Sequence, residues 1–75
     1  MDFDTLVESA RIARIAGDID HETDKKKKIA IALALGRIEW LAQHGVTMRQ
    51  AIVMLGESGV KVVAAAKHAL RAELN

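Results

Sequence analysis

Lys61, Lys67, His68 and Arg71 recur at helical spacing near the end of the chain. At about 100° per residue they gather with Ala64 on one side of a helix. Cations aligned in this way neutralise a polyanion, and on one helix they suit the phosphates of nucleic acid. Arg49 and Gln50 precede them, at the start of another helical stretch. Ser58 and Gly59 would let a phosphate come close to the backbone amides of a helix N-terminus.

Other chemistry is poorly provided for. His21, His44 and His68 lie far apart and show no metal-ligand spacing such as H-x-x-x-H. Cys and Tyr are absent, and Ser9, Ser58, the three threonines and the lysines have no context that would activate a nucleophile. Gly56 and Gly59 lack the preceding strand and the remainder of a phosphate-binding loop. The sequence therefore predicts a protein that is not an enzyme and that holds no metal and no cofactor.

Seventy-five residues make a single domain, 1–75. Half of them, 51%, are hydrophobic, more than a monomer this small can hide, so a homodimer or other homo-oligomer burying the surplus is expected. The net charge of +1 conceals segregation: residues 1–24 hold seven acids and two bases, whereas Lys25–Lys28 and most remaining charges are basic. No basic leader precedes an apolar core at the start, and the run from Ile29 to Leu35 plus Gly36 is too short to span a bilayer. The expectation is a soluble, cytoplasmic protein that does not engage a membrane, since the apolar side of its last helix is Ala and Val without the bulky residues that insert into lipid.

With no Pro, little aromatic content and much Ala, Leu, Lys and Arg, the chain favours helix almost throughout. The predicted fold is all-α, a compact bundle of three to four helices. Asp2 or Asp4 caps a first helix with Phe3, Leu6, Val7, Ala10 and Ala13 on its apolar stripe, broadened by Ile12, Ile15 and Ala16 and ended by Gly17. Asp20 or Thr23 caps a second, which Ile31, Leu35, Ile38 and Ala42 carry on to about His44, with Gly45 past its end. Apolar on several sides, that helix belongs at the centre, with Trp40 in the core or a dimer interface. Thr47 and Gln50 stand at capping-box spacing before a third helix whose Ala51, Met54 and Leu55 face inward. Ser58 is a candidate cap for a fourth, which turns Val62, Val63, Ala66, Ala69 and Leu70 inward.

The stretch TMRQAIVMLGESGVKVVAAAKHAL, residues 47–70, resembles the helix-turn-helix motif class. The resemblance rests on Ala51 within the first helix, Leu55-Gly56 at its end, Ser58 before the second, and Val62 four positions later. It implies two steeply crossing helices whose second enters a major groove. Departures are plain: where the class places side chains that read bases, this chain has Gly59, Val60, Lys61, Ala64 and Ala65. The resemblance thus implies a small DNA-binding or DNA-associated regulatory protein whose partner is duplex DNA, contacted through Arg49, Gln50, Ser58, Gly59, Lys61, Lys67, His68 and Arg71. The competing expectation is a protein-interaction module that uses its apolar surplus on itself or on a larger protein partner. Lys25–Lys28 fit either an anion-attracting collar or local neutralisation through Glu22–Lys26 and Asp24–Lys28 at i,i+4.

Overall fold

The computed structural model describes residues 2–73, which form four α-helices and no strand. The first helix, α1 (Phe3–Ala16), begins at Asp2, whose carboxylate accepts hydrogen bonds from the Thr5 backbone N–H at 3.0 Å and the Thr5 hydroxyl at 2.9 Å. Such a cap contributes about 1 kcal/mol. The helix ends at Gly17, whose N–H reaches Ala13 O at 2.8 Å. Leu6, Val7, Ala10 and Ala13 are buried, as the spacing predicts, whereas Phe3 of the same predicted stripe is exposed. Ile12, Ile15 and Ala16 do not broaden that stripe: the two isoleucines are 49% and 87% exposed and Ala16 is exposed too, because these positions turn away from the core.

The second helix differs most from its sequence reading. α2 (Lys25–Leu35) is capped by Asp24, not by Asp20 or Thr23, with Asp24 Oδ1 accepting from Lys26 N at 2.9 Å. It stops at Gly36 and does not continue to His44. Gly36 takes φ 71°, its N–H reaches Leu33 O at 3.1 Å, and Arg37 N reaches Ala32 O at 2.8 Å. That pair of bonds is a Schellman stop, which satisfies the orphan carbonyls of the last turn and needs a left-handed residue that glycine supplies without strain. The chain restarts as α3 (Ile38–Gln43) and stops again in the same way at Gly45, with Val46 N on Leu41 O at 2.9 Å and both side chains buried.

Breaking the helix reorients its apolar residues. Ile29, Ala30, Ile31, Ala32 and Ala34 are buried around the full circumference of α2, which packs against α1, α3 and the last helix. The expected central helix is present, in this shorter form. Ile38 and Ala42 fall on the exposed side of α3, while Trp40 and Leu41 go into the core. Trp40 is 5% exposed, and the Arg37 guanidinium lies 5.5 Å from its ring centroid. Full burial of one isoleucine stabilises the fold by about 1.5–3 kcal/mol, and Ile29 and Ile31 are the largest side chains fully enclosed.

The last helix, α4 (Met48–Glu73), opens with the expected capping box: Thr47 N donates to Gln50 Oε1 at 2.9 Å, and Gln50 N donates to Thr47 Oγ1 at 3.1 Å. It is kinked at Gly56, the one residue in it with non-helical torsions (φ 71°, ψ 176°). Gly56 therefore occupies the cap position assigned to Ser58, and Ser58 is an exposed residue of the following turn. Ala51 and Leu55 are buried before the kink, and Val63, Ala66 and Leu70 after it. Met54, expected inside, is 37% exposed.

Candidate nucleic-acid interface

The second segment of α4, beyond Gly56, buries one side and exposes the other, so the spacing that brings Val63, Ala66 and Leu70 onto the core also sends Lys61, Lys67, His68 and Arg71 outward. At 1.5 Å of rise per residue, Lys61 and Arg71 stand about 15 Å apart along the axis. Lys61 is 3.7 Å from Glu57, a pair between highly exposed side chains that solvent screens. Between the cations the exposed positions are Ala64 and Ala65, which present no hydrogen-bonding group.

The remaining predicted residues are placed differently. Gly59 is buried: a Cβ there would lie 3.1 Å from Leu55 Cβ, so its smallness lets Leu55 pack across the kink. Ser58 is exposed. Arg49 and Gln50 are exposed near the other end of α4 and share a shallow groove of about 400 Å3 with Lys25, Val53 and Met54. The capping box ties up Gln50 Oε1, which leaves the amide nitrogen as its outward group.

Lys67 and Arg71 line a second groove, of about 420 Å3, together with Arg14 of α1 and Arg37 of the α2–α3 link. Six of the eight predicted residues are thus divided between two grooves and the helix face that carries Lys61 and His68, while Ser58 lines neither groove and Gly59 is buried. Arg14 and Arg37 escaped the sequence reading because they lie outside residues 47–71 in sequence. The one available signal was that Arg11 and Arg14 are the only bases in an otherwise acidic segment.

Three carboxylates pair with cations of these surfaces: Glu73 with Arg14, Glu39 with Arg37 and Glu57 with Lys61. Glu73 is held by Arg11 (Nε–Oε1 2.8 Å) and by Arg14 (Nη2–Oε2 3.0 Å), and these hydrogen bonds, Arg11's first, keep its carboxyl below the ordinary glutamate value. The same contact, with Glu8 adding to it, raises the Arg11 guanidinium. Asp2 is also lowered, chiefly by the Thr5 N–H.

Lys25–Lys28 are not neutralised in the expected manner. Glu22 and Asp24 accept from backbone amides, Glu22 from Thr23 and Asp24, and Asp24 from Lys26. No ion pair among the described residues involves these lysines. Glu22 lies outside the helix, so helical i,i+4 geometry never applies to Glu22–Lys26.

Among the described residues no three His, Asp or Glu side chains converge as a metal site, and no helix is long and apolar enough to cross a membrane. Comparison with protein-family models, with curated proteins and with solved structures finds no match to this chain.

Proposed function

We propose that this chain is a small, non-catalytic DNA-associated regulatory protein that docks its C-terminal hairpin on duplex DNA as a homodimer. The observation that carries the reading is the outward row of Lys61, Lys67, His68 and Arg71 on the helical segment that starts at the Gly56 kink. In this reading residues 47–71 act as a helix-turn-helix-like unit whose turn is reduced to Gly56. With alanines between the cations, contacts go to phosphates, and binding tolerates many sequences. Arg49 adds a phosphate contact, and the Gln50 amide nitrogen and Lys61 are the groups left to touch a base edge. The exposed Ile52, Val53 and Met48 on the first segment of α4 supply the apolar surface for self-association.

A second reading is favoured by a separate observation. Ile15 at 87% and Ile38 at 58% exposure are large apolar side chains on other helices, as an interaction module for a larger protein would present.

Fluorescence anisotropy with a mixed-sequence duplex separates the two readings. Arg49, Lys61, Lys67 and Arg71 on phosphates give a fall in affinity on the order of a hundredfold between 50 and 200 mM salt. Lys61→Glu with Arg71→Glu should abolish that binding and leave the oligomeric state unchanged. Absence of binding at low salt by folded protein would leave the interaction module standing.

A further inference from the structure

Arg14 and Arg37 lie outside the hairpin, yet the fold sets both around one open groove with Lys67 and Arg71. Four like charges about one concavity repel one another, and the described residues offset them only in part. Glu73 holds Arg14 at 3.0 Å, and Glu39 lies 3.3 Å from Arg37. No carboxylate of the described residues is within 4.0 Å of Lys67 or Arg71.

The two arginines are also positioned before any ligand arrives. Arg14 is fixed by Glu73 through Nη2, and its Nη1 is buried with no hydrogen-bond partner. An anion that drew on this donor would give an unpaired buried N–H a charge-assisted bond. Arg37 lies over the buried Trp40 ring, which steadies its plane. A planar guanidinium fork matches two oxygens of a phosphate, and two such forks with Lys67 and Arg71 outmatch what a monovalent halide can use. The groove, at about 420 Å3, falls in the range of small-molecule sites, and Leu35 and Leu70 line the part a phosphate would leave free.

We propose that Arg14, Arg37, Lys67 and Arg71 form a phosphate-binding site, whose phosphate is either a backbone group of nucleic acid or the head of a small phosphomonoester. The site shares Lys67 and Arg71 with the proposed duplex-docking face, so its test uses free phosphate and a duplex as separate probes.

Its test is an NMR titration of 15N-labelled protein with inorganic phosphate, ionic strength being held constant with sodium chloride. The arginine Nε–Hε signals of Arg14, Arg37 and Arg71 should move along one saturable curve, while that of Arg49 stays in place. Arg37→Gln with Lys67→Gln should weaken the binding by about tenfold or more. Both side chains are solvent-exposed, so the double variant should keep the amide spectrum of a folded chain. A short duplex, used as a second probe, distinguishes the sources. Saturation of the same three signals by the duplex, with or without a response to free phosphate, assigns the site to nucleic-acid backbone. Saturation by phosphate alone assigns it to a small phosphorylated ligand and removes Lys67 and Arg71 from duplex docking. The proposal is overturned if neither probe moves the three arginines beyond the chloride control, or if the double substitution leaves the curves unchanged.

Discussion

Glu73, at the end of α4, accepts a hydrogen bond from Arg11 of α1, with Arg11 Nε 2.8 Å from Glu73 Oε1 across 62 positions of sequence. Arg14, one turn further along α1, holds the other oxygen at 3.0 Å. The first and last helices are thereby clasped by a three-residue ionic group, in which one carboxylate serves two guanidiniums.

That clasp makes stability depend on pH in a definite direction. The carboxyl of Glu73 is lowered in the folded state, by the Arg11 hydrogen bond first and the Arg14 hydrogen bond second. Its contribution is therefore complete above the ordinary glutamate value of about 4.3 and is lost as pH falls through the lower folded value. Asp2, lowered by the Thr5 N–H, acts in the same sense. Thermal melts followed by circular dichroism from pH 7 to pH 3 should show Glu73→Gln destabilised at neutral pH and converging on the wild-type chain in acid. Parallel curves would mean that solvent screening leaves the clasp without energetic weight.

Gly56 sits at φ 71°, ψ 176°, a region that side chains with a Cβ essentially avoid. Nothing lies within 4 Å of the position a Cβ would take, so the penalty of Gly56→Ala is backbone strain rather than collision. A loss of about 1–3 kcal/mol in urea unfolding is expected. The change should also weaken duplex binding, because α4 can relieve the strain only by altering its kink. A variant as stable as wild type would show that the kink is not held in this conformation.

Isoleucine position, not isoleucine number, decides stability here. Ile31 is fully enclosed, and Ile31→Ala should cost about 2–5 kcal/mol in the same unfolding measurement. Ile15, at 87% exposure, should tolerate Ser within about 0.5 kcal/mol. A large loss at Ile15 would instead reveal that this side chain is covered in solution by a second molecule.

Self-association should depend on the first segment of α4. Val53 is 75% exposed, and Ile52 and Met48 stand beside it on the same segment at 49% and 41%. Sedimentation equilibrium should find wild-type dimers and monomeric Val53→Asp, with an unchanged helical spectrum. A wild-type chain that stays monomeric at every concentration would remove the homodimer from the proposed function.

Much of this was legible in the residues themselves. Local hydrogen bonding is encoded by neighbours, so Thr47 with Gln50, Gly17 and Gly45 could be assigned from spacing, the first cap narrowed to Asp2 or Asp4, and the buried row Val63, Ala66 and Leu70 read off as well. All-α content followed from propensity alone. The end of α2 was less clear because IAIALALGRIEW keeps helical periodicity through Gly36. The periodicity describes which residues are apolar, whereas the stop depends on whether the chain gains more by turning than by continuing. With the Schellman turn at Gly36 in place, Trp40 and Leu41 are buried in the core. The outward turn of Ile12 and Ile15 is likewise a tertiary outcome, since the core has room for only one side of α1. The groove of Arg14, Arg37, Lys67 and Arg71 is the clearest case. Its members come from three separated segments, and charges on different helices become neighbours only when long-range packing brings those helices together.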